Sequence, residues 1–466
     1  MLSLISFAVH CRSLTQLPLL PVSGLRRTAD ISTPFQCRKN YATLNRYPIH
    51  SINRSHRSVM ATSPPYHLIL DWDGTITYKD SLHLLPEAAC AAKKLDYSKV
   101  WPPLVDAYLS DYTEHKKNYQ PPANERRTLA EEFSWLRSLQ AIEGRSAARV
   151  EGSGIFDGVT RAQLSQQASA AVDSGTLALR RGFFPVALPH AIEAGARVSI
   201  VSVHWSRHLI RAALQRHGEL QCREEDEAGE AGTHSAASLV VVKAVGQHGQ
   251  HGQQEEEHGL EPGQHHQRQP LRLDSWPGSV AGGPESRALM QQALQWIGRV
   301  KIEANELPSV ELEGVPTRGV GVGLGKDRGK GIRTSTDKLA AMNALLADDG
   351  ADTDTVVVYV GDSPTDLECL IAANIGICVR DEPLTSAQHD LAEALRRLGV
   401  QTHHVSELRE RPWAARPPEK AAQLLQGHDR QVSRMTEPRY EYDRGLWWAR
   451  DFVEITQALK SITFVQ

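Results

Sequence analysis

Residues 66–77 read YHLILDWDGTIT, an apolar run that breaks into two aspartates one residue apart, Asp71 and Asp73, followed by Gly74 and Thr75. The run His67–Leu70 has the length and composition of a buried parallel strand, and ligand sites in open α/β sheets lie just beyond the carboxyl ends of such strands. Asp71 falls at that end. The chain must then turn, and Gly74 supplies the conformational freedom for it. Two carboxylates on one loop can bind a divalent cation, or divide the labour of nucleophile and proton donor. A DxDG surface turn is also common, so the stretch needs partners elsewhere in the chain.

Three later segments offer them. Arg197–Ser202 (RVSIVS) is a second short apolar strand ending in Ser202, whose hydroxyl either hydrogen-bonds a phosphoryl oxygen or simply caps the next helix. In STDKLAAMNALL, Lys338 opens an amphipathic helix; it is either a solvated lysine or a full charge added to the anion site at a helix N-terminus. The stretch VVVYVGDSPTDLECLIAANIGICV gives a buried strand, Val356–Val360, a turn at Gly361, then Asp362 and Asp366 before another short apolar run, Ile375–Val379. Fresh carboxylates at the end of a strand are what a cation shared with Asp71 would require.

Together, DWDGT, a strand-ending serine, a helix-opening lysine and GDSPTD resemble the haloacid dehalogenase-like (HAD) superfamily, most of whose members are phosphatases. VSVHWS (201–206), GIRTSTDKLA (331–340) and LWWARDFVEI (446–455) are similar to fungal members related to phosphoserine phosphatase and thiamine-phosphate phosphatases. The resemblance implies a doubly wound, Rossmann-like α/β fold with an inserted helical cap. It implies Asp71 as nucleophile forming an aspartyl-phosphate, Asp73 as general acid and then base, and Ser202 and Lys338 on phosphoryl oxygens. Mg²⁺ would be held by Asp71, Asp362 and the main-chain carbonyl of Asp73, with Asp366 as a further ligand or as an orienting group. The expected activity is Mg²⁺-dependent hydrolysis of a small phosphomonoester. Asp73 favours a phosphatase over a dehalogenase, since an alkoxide leaving group needs a proton and a halide does not. The alternatives are a non-catalytic binding or regulatory protein of the same fold, and a phosphotransferase using the same residues.

The expected organisation follows from where these motifs sit. The core comprises 66–81, 183–218 and 300–466, and a helical cap occupies 82–182. Within the cap, 82–95, 125–143 and 159–173 have apolar residues at helical spacing. His204 and Trp205 are either pocket residues or a surface histidine and a packed tryptophan. Leu384–Leu398 reads as a helix, the region around Val400 as a strand, and WWARDFVEITQAL as an amphipathic helix. In GVGVGLGKDRGKG (319–331), Asp327 follows Lys326 and Val320 stands where a phosphate-binding loop needs glycine, which makes it a connector.

Two stretches differ in character. Residues 1–65 carry eight lysines and arginines and a single acid, Asp30, the composition of a mitochondrial transit peptide; alternatively translation starts at Met60. The stretch 219–299 includes QHGQHGQQEEEHGLEPGQHHQRQP, with His248, His251, His258, His265 and His266, and its glycine and polar content predicts a disordered insert rather than a metal cage. A net charge of −3 argues against a general nucleic-acid or membrane partner; the partner that the resemblance implies is a small phosphate ester. Six cysteines without CxxC spacing suit an intracellular protein, mitochondrial or cytoplasmic.

Overall fold

The computed structural model describes residues 66–233, 284–307, 331–348, 355–408 and 445–462. The expectations for 1–65, for the histidine-rich tract and for 319–330 lie outside them. At its centre is β1 (Tyr66–Leu70), every residue of which is buried. Its neighbours are β2 (Arg197–Val201) and β4 (Val356–Gly361), with β3 (Lys301–Glu303) beyond β2, and β5 (Ile375–Val379) beyond β4. Two further strands, β6 (Thr402–His404) and β7 (Leu446–Ala449), complete a seven-stranded sheet of order β3-β2-β1-β4-β5-β7-β6. All pairings are parallel, and helices cover the sheet, giving a Rossmann-like α/β fold. Near-continuous apolar strands such as Val356–Val360 are the signature of a sheet buried on both faces.

The order of the strands creates the site. From β1 the chain first builds outward through β2 and β3, then crosses to the opposite side for β4, so the crevice between β1 and β4 is the switch point where α/β sheets bind ligands. Leu70 pairs with both Ile200 and Val360, which brings Asp71, Ser202 and Asp362 out at one edge of the sheet.

Between β1 and β2 the chain forms α1 (Leu84–Lys93), α2 (Tyr97–Asn118), α3 (Leu129–Ser138), α4 (Gln140–Gly152), α5 (Arg161–Asp173) and the short α6 (Leu188–Glu193). Sequence spacing had pointed to parts of α1, α3, α4 and α5. Thr128 with Glu131, and Thr160 with Gln163, form reciprocal capping boxes that start α3 and α5. The insert leaves and re-enters the core at a bridge between Thr77 and Leu179. A second seam joins it to α11 (Ser386–Arg397), where Arg397 and Arg126 both bind the buried Glu132 carboxylate at 3.1 and 2.8 Å.

Two sequence expectations change. The stretch 219–299 is not wholly a structureless insert: α7 (Arg207–Thr233) continues well past Glu219, and α8 (Pro284–Arg299) precedes β3. Ala293, Trp296 and Ile297 recur at helical spacing and are buried, so α8 has an apolar face that the neighbouring polar tract obscured. Likewise Leu446–Ala449 is a strand, and only Phe452–Ser461 is the helix, α12. The remaining helices are α9 (Ser335–Asp348) and α10 (Leu367–Ala372). Among the described residues, no helix is long and apolar enough to cross a membrane.

Candidate active site

Asp71 leaves β1 with its backbone N–H bonded to Val360 O at 3.0 Å, and its side chain is 4% exposed. The chain then turns through Trp72–Ile76, with Gly74 at φ 76°, a left-handed conformation that suits glycine. A Cβ at Gly74 would collide with the Asp362 carboxylate. The turn therefore needs glycine for its backbone and for the close approach of β4's end. Asp73 is held from the start of the insert, accepting from Ser81 N at 2.7 Å and Ser81 Oγ at 2.6 Å, while Trp72 Nε1 donates to the same hydroxyl at 2.9 Å.

Lys338 is fully buried, and its Nζ lies 2.7 Å from Asp71 Oδ1 and 2.7 Å from Asp366 Oδ1. The solvated reading of this lysine is thus excluded. Its helix is started by Asp337, whose Oδ2 accepts from the backbone N–H groups of Arg333 and Thr334 and from Thr334 Oγ1. Burial alone would pull the ammonium down, but the Asp366 and Asp71 carboxylates outweigh it and hold the group above the ordinary lysine range.

The two carboxylates facing Lys338 differ sharply. Asp366 Oδ1 also accepts from Tyr359 OH at 2.8 Å, and its Oδ2 accepts from Asp362 N, Ser363 N and Ser363 Oγ at 3.2, 3.1 and 2.9 Å. Asp71 Oδ1, by contrast, has no donor among the described residues besides the Lys338 ammonium. Burial pushes the Asp71 carboxyl up to about 7 against the opposing pull of Lys338, with Asp366 and Asp73 adding to the rise. Asp362 is pushed well up by burial and then by Asp366 and Asp71; its nearest donor is Thr75 Oγ1, at 3.3 Å.

Asp71, Asp362 and Asp366 each offer an oxygen, and these atoms lie within 4.8 Å of one another. An all-carboxylate donor set of this kind fits a hard dication such as Mg²⁺. The Asp71 oxygen that shares its lysine with Asp366 and the raised Asp362 point the same way, since both are buried carboxylates short of positive charge. The Asp73 carboxylate is not in this cluster; its oxygen faces Ser81.

Ser202, at the end of β2, is fully buried and bonded through its N–H to Glu303 O at 2.9 Å. Its Oγ accepts from His204 N at 3.1 Å and donates to no acceptor among the described residues. It does not cap α7. Ser206 takes that role, its Oγ accepting from Leu209 N at 3.1 Å. His204 is buried, not a surface histidine, and Trp205 packs edge-on against Trp101 of α2 and Phe156. The sequence-derived residues Asp71, Asp362, Asp366 and Lys338 thus converge on one point; Asp73 lies two residues beyond Asp71, and Ser202 follows the neighbouring strand β2.

Sequence reasoning missed the groups that hold these in place. Asn305 donates from Nδ2 to Val203 O and Ile332 O at 3.1 and 2.7 Å and accepts from Ile332 N at 2.8 Å, joining the Ser202 loop to the segment entering α9. Ser81 and Tyr359 are likewise visible only in three dimensions.

No family model matches the chain. Over 157 residues it is 28% identical to a CTO1 family protein of Schizosaccharomyces pombe, a match covering 33% of this chain and 51% of that protein. The chain thus spans about half the length of the curated relative it matches.

Proposed function

We propose that the protein is a HAD-like phosphatase that hydrolyses a small phosphomonoester through an aspartyl-phosphate on Asp71. The observation that carries this reading is the buried Asp71 carboxylate, met at Oδ1 by Lys338 Nζ at 2.7 Å and grouped with Asp362 and Asp366 at the switch point of a parallel sheet. A carboxylate left so poorly solvated is a nucleophile in waiting. Asp71 and Asp362, with the main-chain carbonyl of Asp73, would hold Mg²⁺, which would supply positive charge to offset repulsion between the carboxylate and a phosphate dianion.

Asp71 attacks phosphorus in line with the ester oxygen, the P–O bond to the leaving group breaks, and Asp73 gives its proton to the departing alkoxide. Asp73, now ionised, takes a proton from the water that attacks the aspartyl-phosphate. Inorganic phosphate leaves and Asp71 is regenerated. Lys338 and the Ser202 hydroxyl steady charge on the phosphoryl oxygens. Asp366 has both oxygens engaged by donors, so its role is to orient Lys338 and the Asp362 turn. The insert of α1–α5 forms a lid that excludes water from the first step and selects the substrate. The free, buried thiols of Cys90, Cys369 and Cys378 are in keeping with a reducing, intracellular setting.

A panel of phosphoserine, thiamine phosphate, nucleotides, sugar phosphates and aryl phosphates, assayed with Mg²⁺ and with chelator, tests the reading. Phosphate release that requires Mg²⁺ is expected. Tight binding of a phosphate ester without release would make the protein a non-catalytic binder, and transfer to an added alcohol would make it a phosphotransferase.

A further inference from the structure

Arg180 is 1% exposed and uses every N–H of its guanidinium. Nη2 donates to Gly74 O at 2.7 Å and to Asp381 Oδ2 at 3.2 Å. Nε donates to Thr75 O at 3.0 Å, and Nη1 donates to Asp381 Oδ1 at 2.6 Å and Arg450 O at 3.3 Å. The guanidinium also lies over the Tyr78 ring, 4.8 Å from its centroid. Its backbone N–H bonds Ile76 O at 2.6 Å, beside the bridge where the insert re-enters the core.

The carbonyls it binds are those immediately after Asp73. Gly74 in a left-handed conformation leaves its carbonyl outside any regular pattern, and a buried carbonyl without a donor is costly. Arg180 provides that donor, and fixes the turn against Asp381 beyond β5 and Arg450 beyond β7. A guanidinium with no spare donor cannot bind substrate. We infer that Arg180 is a positioning residue, which locks the Asp73–Thr75 turn to the returning strand of the insert and so sets where Asp73 presents its carboxyl to the leaving group. This rests on the acid role assigned to Asp73 above.

A displaced acid penalises poor leaving groups most, because good ones depart without a proton. The test compares phenyl phosphate with p-nitrophenyl phosphate in wild type and Arg180→Lys, which keeps the charge but loses the planar fork. The expected result is a kcat/KM loss, which reports the step that expels the leaving group, of about 100-fold for phenyl phosphate, the scale of an ångström-sized misplacement, and under about 10-fold for p-nitrophenyl phosphate. Asp381→Asn, on the partly exposed partner, shifts the ratio the same way by less. Equal losses on both esters would reduce Arg180 to a support of the fold and overturn the inference. Hydrogen exchange, read separately, needs no turnover: peptides spanning 72–82 should exchange about tenfold faster in Arg180→Lys, while 375–379 is unchanged, and an undisturbed 72–82 segment would overturn the inference. If wild type releases phosphate from no ester of the wider panel, the phosphatase reading fails and the exchange measurement alone decides whether Arg180 holds the turn.

Discussion

The turn at the end of β4 and the turn at the end of β1 share one lysine and are built on opposite plans. Around Asp366, Lys338, Tyr359, Asp362 and Ser363 supply five donors to the carboxylate oxygens, so the charge is solvated by protein as fully as by water. Around Asp71 the only close positive group among the described residues is that same Lys338, and Oδ1 has no other donor there. Buried polar groups that are satisfied define structure, whereas one left short marks where something else is to bind or react. The frame and the reagent therefore look identical in sequence, both being aspartates after a strand, and differ in who donates to them.

The largest break in this comparison is expected from Asp71→Asn. The amide keeps the shape but cannot form an acyl-phosphate, so phosphate release should fall by roughly 10⁴-fold or more while the fold persists. Turnover retained by a folded variant would move the nucleophile elsewhere. Asp366→Ala should do the reverse damage. It strands the Lys338 ammonium and several hydrogen-bond donors, and urea unfolding should show a loss of about 3–5 kcal/mol, the usual cost of breaking a buried ion pair. A loss under about 1 kcal/mol, the scale of an exposed pair, would mean that the network is ornamental.

A smaller effect sharpens the contrast through pH. Asp71 is raised from 3.8 to about 7, so between those values the folded chain keeps a proton that the unfolded chain has released. More protons bound in the folded state means that stability falls as pH rises through that window. Without metal, wild type should lose stability between pH 4 and pH 7 relative to Asp71→Asn, by on the order of a few kcal/mol, as followed by thermal melts in chelator. Added Mg²⁺ should recover more stability at pH 8 than at pH 5, since binding requires the ionised carboxylate. A pH-independent difference between the two proteins would show that Asp71 does not titrate in this range.

Strands β1, β2, β4 and β5, the turn at Gly74 and the four aspartates were legible because apolar runs ending in Gly and Asp are local patterns. Lys338 was legible in position but not in environment; helical periodicity does not say that a residue in the first turn of α9 faces a neighbouring strand end. Arg180 was not legible at all. It stands beside Arg181 in an identical local context, yet one is buried and the other exposed, and only the return of the chain past Gly74 distinguishes them. The strand at Leu446–Ala449 was hidden for a related reason: two tryptophans next to a helical pattern read as helix until β5 and β6 are seen to need a partner between them.

That last strand has a consequence for how the molecule is made. β7 lies inside the sheet although it is the last strand in the chain, and Arg450, just beyond it, supplies one of the carbonyls that hold Arg180. A ribosome making some 5–20 residues per second delivers Asp71 long before it delivers Arg450. For that interval β5 and β6 have no strand between them, and the Gly74 turn lacks part of its clamp. Nascent chains stalled at Gly445 should therefore hold the Gly74 turn less firmly than chains that have reached Arg450.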